Sequence, residues 1–251
     1  MLNSFIDKLK IEINDTLLIT GDTMKLLRKL KKNNKEFNFN IFIDKLMEKL
    51  GENGTLIIQT FNWDFCQGKI YDIVNSKSQT GSIGNTALKR DDFIRTKHPI
   101  YSFAVTGKYK YELASLNNKG AFDINSPFHF MYEKKAKMII IDMPLQNSFT
   151  FVHYVEEMEQ VEYRYNKIFT STYINENGIA NIKNYEMYVR DIENNVLTYI
   201  EPLEDLFIKN NVMDIYNIDE SVIRKIDLYG AYNIIVNDIR NNNAQNLYKV
   251  G

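Results

Sequence analysis

Short apolar runs alternate with segments of helical period along the chain. Residues 15–20 (DTLLIT), 55–61 (TLIIQTF), 101–107 (YSFAVTG) and 137–143 (KMIIIDM) are compact and rich in β-branched or aromatic residues. Such runs are typical of strands that lie inside a sheet covered on both faces. We predict a strand at each position, with those at 55–61 and 137–143 in the centre of the sheet.

The segments between the first two runs have a helical pattern. Residues 21–23 (GDT) form a turn with capping residues, and residues 25–32 (KLLRKLKK) continue it as a helix. Residues 38–50 carry their apolar side chains on one helical face, and Gly51 follows as a typical C-terminal residue. Two helices are therefore predicted between the first two strands.

Tyrosine-rich stretches near residues 161–173 and 185–190 alternate as half-exposed antiparallel strands do. Helices packed on such strands give an α/β fold with a mixed, partly antiparallel central sheet flanked by helices. Clusters of Asn and Lys are expected to be solvated loops, at residues 31–38, 117–119, 194–195 and 241–245. Because no repeat or low-complexity linker divides the chain, we expect a single domain over residues 1–251.

Composition and charge argue against several classes of protein, namely nucleic-acid-binding, membrane and secreted proteins. The chain has 251 residues, and its 31 Lys and Arg balance 32 Asp and Glu to a net charge of -1. No overall field therefore favours nucleic acid or an anionic membrane. The N-terminal residues lack the apolar core of a secretion signal, and no apolar run approaches the roughly 18 residues of a membrane-spanning helix. We expect a cytoplasmic protein that binds small molecules and possesses no membrane or nucleic-acid partner.

Cysteine and histidine usage argues against a metal centre. Cys66 is the only cysteine, and the three histidines are too scattered for metal-ligand spacing. Cys66 is expected to be a partly buried thiol, and it would be a nucleophile only beside His98 or His153.

His153 is the strongest candidate for moving a proton. It follows the apolar run at 137–143, on the first turns of a predicted helix capped by Ser148 or Thr150. Helical spacing puts Glu156 and Glu157 on the face of the imidazole, where either carboxylate can fix its tautomer. A surface histidine paired with a glutamate fits the same spacing, so spacing alone leaves both interpretations open.

The sequence around each of the other two histidines favours a structural role. His98 precedes Pro99 and a strand, so we expect it to hold the turn by hydrogen bonds, with ligand contact as the alternative. His129 follows Pro127 among aromatic residues, which indicates packing or, alternatively, the lining of a substrate pocket.

Trp63 and Asp64 follow a predicted central strand. An indole stacks on the apolar face of a sugar ring while a carboxylate accepts from hydroxyl or ammonium groups, although a lone tryptophan is as often core packing. Residues 80–85 (TGSIGN) would let backbone amides approach a phosphate, but their spacing matches no phosphate-binding motif.

Taken in order, these segments resemble the aminoglycoside 3-N-acetyltransferase family over most of the chain. The matching pieces are residues 51–55, the Trp63-Asp64 pair, residues 81–87, residues 95–99 with Ser102, Ser126-Pro127, the strand at 137–143, and Asn147-Ser148-x-Thr150-x-x-His153-Tyr154-x-Glu156. Each fragment is unspecific, and their joint order carries the resemblance.

The resemblance implies a mixed α/β acyl-CoA-dependent N-acyltransferase that needs no metal and transfers directly in a ternary complex. His153 matches the family's catalytic histidine, with Glu156 as its carboxylate, Asp191 as a second candidate, and Thr150 supporting the thioester oxygen or the imidazole. Further positions are assigned by the same resemblance: Thr23, Gly84, Ser102 and Ser126 to CoA, and Trp63, Asp64, His129 and Tyr154 to the acceptor.

Departures from the family pattern bear on the acceptor. The family's usual His-x-Ser-Leu turn is replaced here by residues 20–24 (TGDTM), and no dense acidic run suggests a polycation pocket. Residues 80–105 look more like the subgroup that acylates nucleotide-linked amino sugars for surface polysaccharides. We therefore expect a nucleotide-linked 3-amino-3,6-dideoxyhexose as acceptor, with antibiotic acetylation and a catalytically silent CoA- or sugar-nucleotide-binding module as alternatives. A homo-oligomer is compatible with the sequence.

Overall fold

A computed structural model describes residues 2–33 and 38–251. The helices are α1 (Leu2–Lys8), α2 (Thr23–Asn33), α3 (Phe39–Leu50), α4 (Ser82–Ala87), α5 (Lys110–Ser115), α6 (Pro127–Glu133), α7 (Phe151–Met158), α8 (Pro202–Lys209) and α9 (Leu228–Asn241). The strands are β1 (Thr16–Gly21), β2 (Thr55–Gln59), β3 (Tyr71–Asp72), β4 (Ile94–Arg95), β5 (Phe103–Gly107), β6 (Lys137–Ile141), β7 (Arg164–Ile174), β8 (Ala180–Arg190), β9 (Val196–Thr198), β10 (Met213–Ile218), β11 (Ser221–Asp227) and β12 (Tyr248–Val250).

Seven strands form the main sheet, in the order β10-β11-β6-β1-β2-β5-β4. The three central strands β6, β1 and β2 are parallel, whereas β11 and β5 join them antiparallel on either side. This confirms the predicted mixed α/β sheet and the central positions of the runs at 55–61 and 137–143.

The central strands are apolar on both faces because helices cover both faces. Successive side chains of a strand point to opposite sides, so Leu18 and Ile57 pack in one cluster with the buried side of α7, while Ile19 and Ile58 pack in another with α3. The first cluster is the larger, and it fixes α7 against the sheet.

The tyrosine-rich strands do not join the central sheet. β7 and β8 pair antiparallel over eleven residues each, and only Tyr71 and Asp72 of β3 pair with β7. A third apolar cluster that includes Phe65, Tyr173 and Tyr185 holds this sheet. β9 and β12 form a separate two-stranded sheet.

Some predicted boundaries differ. The predicted loop at 31–38 is wrong for residues 31–33, which continue α2, and its residues 34–37 lie outside the described residues. Asn241 ends α9 instead of opening a loop. The described residues contain no helix long and apolar enough to span a bilayer. The single-domain expectation stays a prediction.

Candidate active site

A short turn after β6 leads into α7 and sets the position of His153. Thr150 is the N-cap residue of α7, but its side chain makes no capping bond, and the Ser148 hydroxyl donates to the carbonyl of Pro144 at 2.7 Å. The buried side chains of Phe151, Val152, Tyr154 and Val155 anchor the helix. His153 lies between them with 20% of its side chain exposed.

The imidazole is paired with Glu156. His153 Nδ1 lies 2.7 Å from Glu156 Oε2, three residues along the helix, and Glu156 is fully buried. An ionised carboxylate only accepts hydrogen bonds, so Nδ1 carries the proton and Nε2 keeps its lone pair. The pair therefore presents a proton acceptor at Nε2.

Two further residues bind the Glu156 carboxylate. Arg164 Nε lies 2.7 Å from Oε2, and the Tyr163 hydroxyl donates to Oε1 at 3.0 Å. Burial would raise the pKa of Glu156, but Arg164, His153 and Tyr163 together hold it below its usual value. Glu156 is therefore ionised at neutral pH.

His153 is neutral under the same conditions. Burial lowers its pKa below that of a free histidine, Arg164 and Arg190 lower it further, and Glu156 opposes them. A neutral imidazole with a fixed tautomer can accept a proton from a substrate, and Glu156 can then stabilise the imidazolium.

A row of aromatic contacts connects His153 with Trp63. Ring centroids are 5.6 Å apart for His153 and Phe122, 4.9 Å for Phe122 and Tyr101, 4.7 Å for Tyr101 and Phe61, and 6.3 Å for Phe61 and Trp63. Trp63 is 38% exposed. This row of aromatic rings passes through the core, since Phe122 and Phe61 are only 1% and 2% exposed, and it has the predicted base at one end and the predicted sugar platform at the other.

Comparison with known proteins identifies the family. A family model described as aminoglycoside 3-N-acetyltransferase matches residues 27–238. The chain belongs to the aminoglycoside 3-N-acetyltransferase family. No curated protein matches the chain in sequence.

Solved structures share this fold with the chain at low sequence identity. AAC-VIa with bound sisomicin has a TM-score of 0.77 and 15% identity, covering 95% of this chain and 96% of that chain. AAC-IIIb in a binary complex with CoASH has a TM-score of 0.76 and 12% identity, covering 95% of each chain. The YokD protein from Bacillus subtilis has a TM-score of 0.76 and 16% identity, covering 98% of this chain and 94% of that chain.

Family membership makes the chain an acyl-CoA-dependent N-acyltransferase, the enzyme class that the resemblance implies. The match confirms the predicted family. The described residues contain no group of three or more His, Cys, Asp or Glu side chains that could hold a metal ion.

The hydrogen bonds of the other two predicted catalytic residues go to groups other than the imidazole. The Asp191 carboxylate accepts from the backbone and side-chain amides of Asn194, at 3.2 and 2.6 Å, instead of orienting His153. The Thr150 carbonyl accepts from the backbone N–H of His153 at 3.1 Å. Of the two candidate carboxylates, the geometry therefore favours Glu156.

Three residues assigned to substrates are bonded to one another. His129 Nδ1 lies 2.8 Å from the hydroxyl of the buried Tyr154, and Ser126 Oγ accepts from the His129 backbone N–H at 3.3 Å as the N-cap of α6. At the Trp63 end of the aromatic row, Asp64 pairs with Lys69 at 2.8 Å, and this hydrogen bond lowers the pKa of Asp64. Their roles toward ligands stay predictions.

The residues assigned to CoA have internal roles. Ser102 is fully buried, accepts from Arg95 Nε at 3.0 Å and donates to the Thr60 carbonyl at 2.8 Å. A Cβ atom on Gly84 would lie 2.6 Å from the Gln59 carbonyl oxygen, so glycine lets α4 approach β2. Thr23 is buried at the first residue of α2. CoA binding by these residues stays a prediction.

His98 has the structural role that its position before Pro99 predicts. It is fully buried, its Nδ1 accepts from the Tyr101 N–H at 3.2 Å, and burial lowers its pKa to about 3. Burial also raises the pKa of Cys66 to about 11, so its thiol is protonated at neutral pH and is a poor nucleophile.

Sequence reasoning missed Tyr163 and Arg164. Both lie in a stretch predicted only as an alternating strand. Arg164 shares the polar positions of that alternation with Glu162 and Asn166, so the pattern predicts an exposed side chain, whereas the structure buries it.

Proposed function

We propose that this enzyme acylates the amino group of a nucleotide-linked 3-amino-3,6-dideoxyhexose from acetyl-CoA or a short hydroxyacyl-CoA. It would act in the cytoplasm as a single-domain enzyme of surface polysaccharide synthesis, with His153 as general base. The observation that carries the chemistry is the His153–Glu156 pair. The carboxylate binds Nδ1 of His153 and leaves Nε2 available, and the His153 side chain is partly exposed.

The reaction needs one proton acceptor. The amine nitrogen attacks the thioester carbonyl carbon while Nε2 of His153 takes the N–H proton, and Glu156 stabilises the imidazolium. The C–S bond then breaks, the departing CoA thiolate takes that proton back from His153, and the products are the amide and CoASH. General-base help of this kind is worth about 10²–10⁴-fold.

Support for the sugar acceptor comes from the Trp63 end of the aromatic row. Trp63 is 38% exposed and is followed directly by Asp64, and a sugar platform needs an accessible indole with a polar group nearby. The positive charge of Arg190 acts on His153 and would also favour a phosphate-bearing acceptor.

A different observation favours an aminoglycoside acceptor. Asp123, Glu157 and Glu186 are distant in sequence but close enough for the charges of Asp123 and Glu186 to act on Glu157. These acidic groups lie near His153 and would attract a polycationic acceptor, although Glu157 itself is buried and Lys119 pairs with Glu186. This second candidate predicts that expression of the protein raises aminoglycoside tolerance in a sensitive host.

Thiol release from acyl-CoA tests the proposal. Purified protein is assayed with acetyl-CoA and 3-hydroxybutyryl-CoA against a panel of nucleotide-linked amino sugars and aminoglycosides. Turnover with a nucleotide amino sugar is the expected result, whereas turnover with aminoglycosides alone would replace the first candidate by the second. His153→Gln should lose about 10²-fold or more in kcat while it still binds CoA. A wild type that binds CoA and releases no thiol with any amine would indicate a silent binding module.

A further inference from the structure

The carboxylate of Glu156 is held by two adjacent residues at the start of β7. Tyr163 donates to Oε1 and Arg164 contacts Oε2, so both oxygens are fixed by groups other than His153. The orientation of the imidazole therefore depends on what fixes Tyr163 and Arg164.

The two-stranded sheet of β9 and β12 contacts both residues. The ring of Tyr248 stacks on that of Tyr163, with centroids 3.9 Å apart and an interplanar angle of 17°. Thr198 Oγ1 accepts from Arg164 Nη2 at 3.0 Å. Tyr248 and Thr198 are directly opposite one another in the register of this sheet.

The same sheet is bonded to the turn that precedes α7. Gln146 Nε2 donates to the Thr198 carbonyl at 3.0 Å, and Gln146 Oε1 accepts from the Ile200 N–H at 2.7 Å. The sheet is thus fixed to the segment that carries His153 and also to the residues that carry Glu156.

We propose that the β9–β12 sheet positions the His153–Glu156 pair, with Tyr248 acting through Tyr163 and Thr198 acting through Arg164. The inference rests on the proposed role of His153 as general base. Tyr248 lies outside residues 27–238, which the family model matches, so the family match gives it no role.

Charge explains what this support does for the chemistry. Three charged groups act on the pKa of the imidazole: Arg164 on β7, Glu156 on its own helix and Arg190 at the end of β8. If Tyr163 or Arg164 moves away from the Glu156 carboxylate, less of the carboxylate charge is neutralised. That charge then stabilises the imidazolium more strongly. The pKa of His153 should rise, and the tautomer and direction of Nε2 should be less well fixed.

Paired variants separate positioning from simple destabilisation. Tyr248→Ala removes the stacked ring and Tyr248→Phe keeps it, while Thr198→Val removes the acceptor oxygen and Thr198→Ser keeps it. Tyr163 and Tyr248 line a cavity of about 580 Å³, so truncation of Tyr248 enlarges an existing space. Tyr163→Phe removes only the hydroxyl that binds Glu156.

The first measurement is the pKa of His153, followed by NMR in histidine-labelled protein and assigned with His153→Gln. It needs no substrate, so its outcome is independent of the acceptor and of the proposed function. We expect an upward shift in Tyr163→Phe, Tyr248→Ala and Thr198→Val, and values near wild type in Tyr248→Phe and Thr198→Ser. With any acceptor that the wild type acylates, the three shifted variants should lose about tenfold in kcat with little change in KM.

A double variant tests the route. If Tyr248 acts through Tyr163, Tyr248→Ala should add less than about twofold to the loss in Tyr163→Phe. Full additivity of the two changes would overturn the inference. The inference would also be overturned if the pKa of His153 were unchanged in both Tyr248→Ala and Thr198→Val.

Discussion

Glu156 and Glu157 are neighbours on α7 with opposite environments. The Glu156 carboxylate has three partners and a pKa below its usual value. Glu157 is 6% exposed, its Oε2 has no hydrogen-bond partner within the described part of the chain, and burial with Asp123 and Glu186 raises its pKa to about 7. One helical step thus separates a carboxylate suited to stabilising an imidazolium from one that is half protonated at neutral pH.

Replacing each candidate carboxylate by its amide tests which one orients His153. Glu156→Gln should lower kcat by about 10²-fold, because the amide keeps the shape but cannot stabilise the imidazolium. Asp191→Asn is the matched change and should stay within about twofold, since Asp191 is bonded to Asn194. Thiol-release kinetics measure both, and a larger loss in Asp191→Asn than in Glu156→Gln would reverse the assignment.

For single residues, the sequence predicts those side-chain contacts that helical spacing determines. Glu156 and Glu157 at three and four residues from His153 were both reasonable partners, and only the packing of α7 selects between them. Arg164 was not predictable from spacing, because its contact with Glu156 depends on how the chain turns from α7 into β7.

At the scale of helices and strands, the close contact of α4 with β2 depends on a single glycine. Gly84 has an ordinary helical backbone, yet a Cβ there would lie 2.6 Å from a carbonyl oxygen of β2. Backbone cannot yield as a flexible side chain does, so either α4 or β2 must move.

Gly84→Ala should therefore lower the free energy of unfolding by about 1–3 kcal/mol. Ser82→Ala, at the exposed first residue of α4, should stay within about 0.5 kcal/mol of the wild type. Urea denaturation compares the two. An unchanged midpoint in Gly84→Ala would show that α4 shifts freely and would leave a ligand role as the reason for this glycine.

The sequence predicts the positions of helices and strands better than it predicts which strands pair in one sheet. The run at 137–143 became β6, the run at 55–61 became β2, and residues 38–50 became α3 with Asn38 as its N-cap. The separate sheet of β7 and β8 was not predictable, because alternation shows that one face is buried and does not show against which element. Its cluster of Phe65, Tyr173 and Tyr185 joins residues more than one hundred positions apart.

Two buried groups make the stability of the whole molecule depend on pH in opposite directions. His98 has a pKa of about 3 in the folded state against a reference of 6.5. The unfolded chain therefore binds more protons at this site between those values, and stability falls as the pH drops through that window. Glu157 has a pKa of about 7 against 4.5, so the folded state binds more protons and stability falls as the pH rises from 4.5 to 7.

These two slopes oppose one another between pH 4.5 and 6.5, so their joint contribution to the free energy of unfolding should be nearly flat there. Of these two groups, only His98 contributes a slope below pH 4.5, where stability should fall as the pH drops. Paired carboxylates such as Asp92, whose pKa is lowered chiefly by Arg90, add to that fall. Above pH 6.5, Glu157 is the one of the two that still contributes a slope. Glu157→Gln removes its slope, so between pH 4.5 and 8 the wild type should lose on the order of 2–3 kcal/mol relative to this variant. Urea unfolding across that range measures both curves, and parallel curves would mean that Glu157 ionises normally in the folded protein.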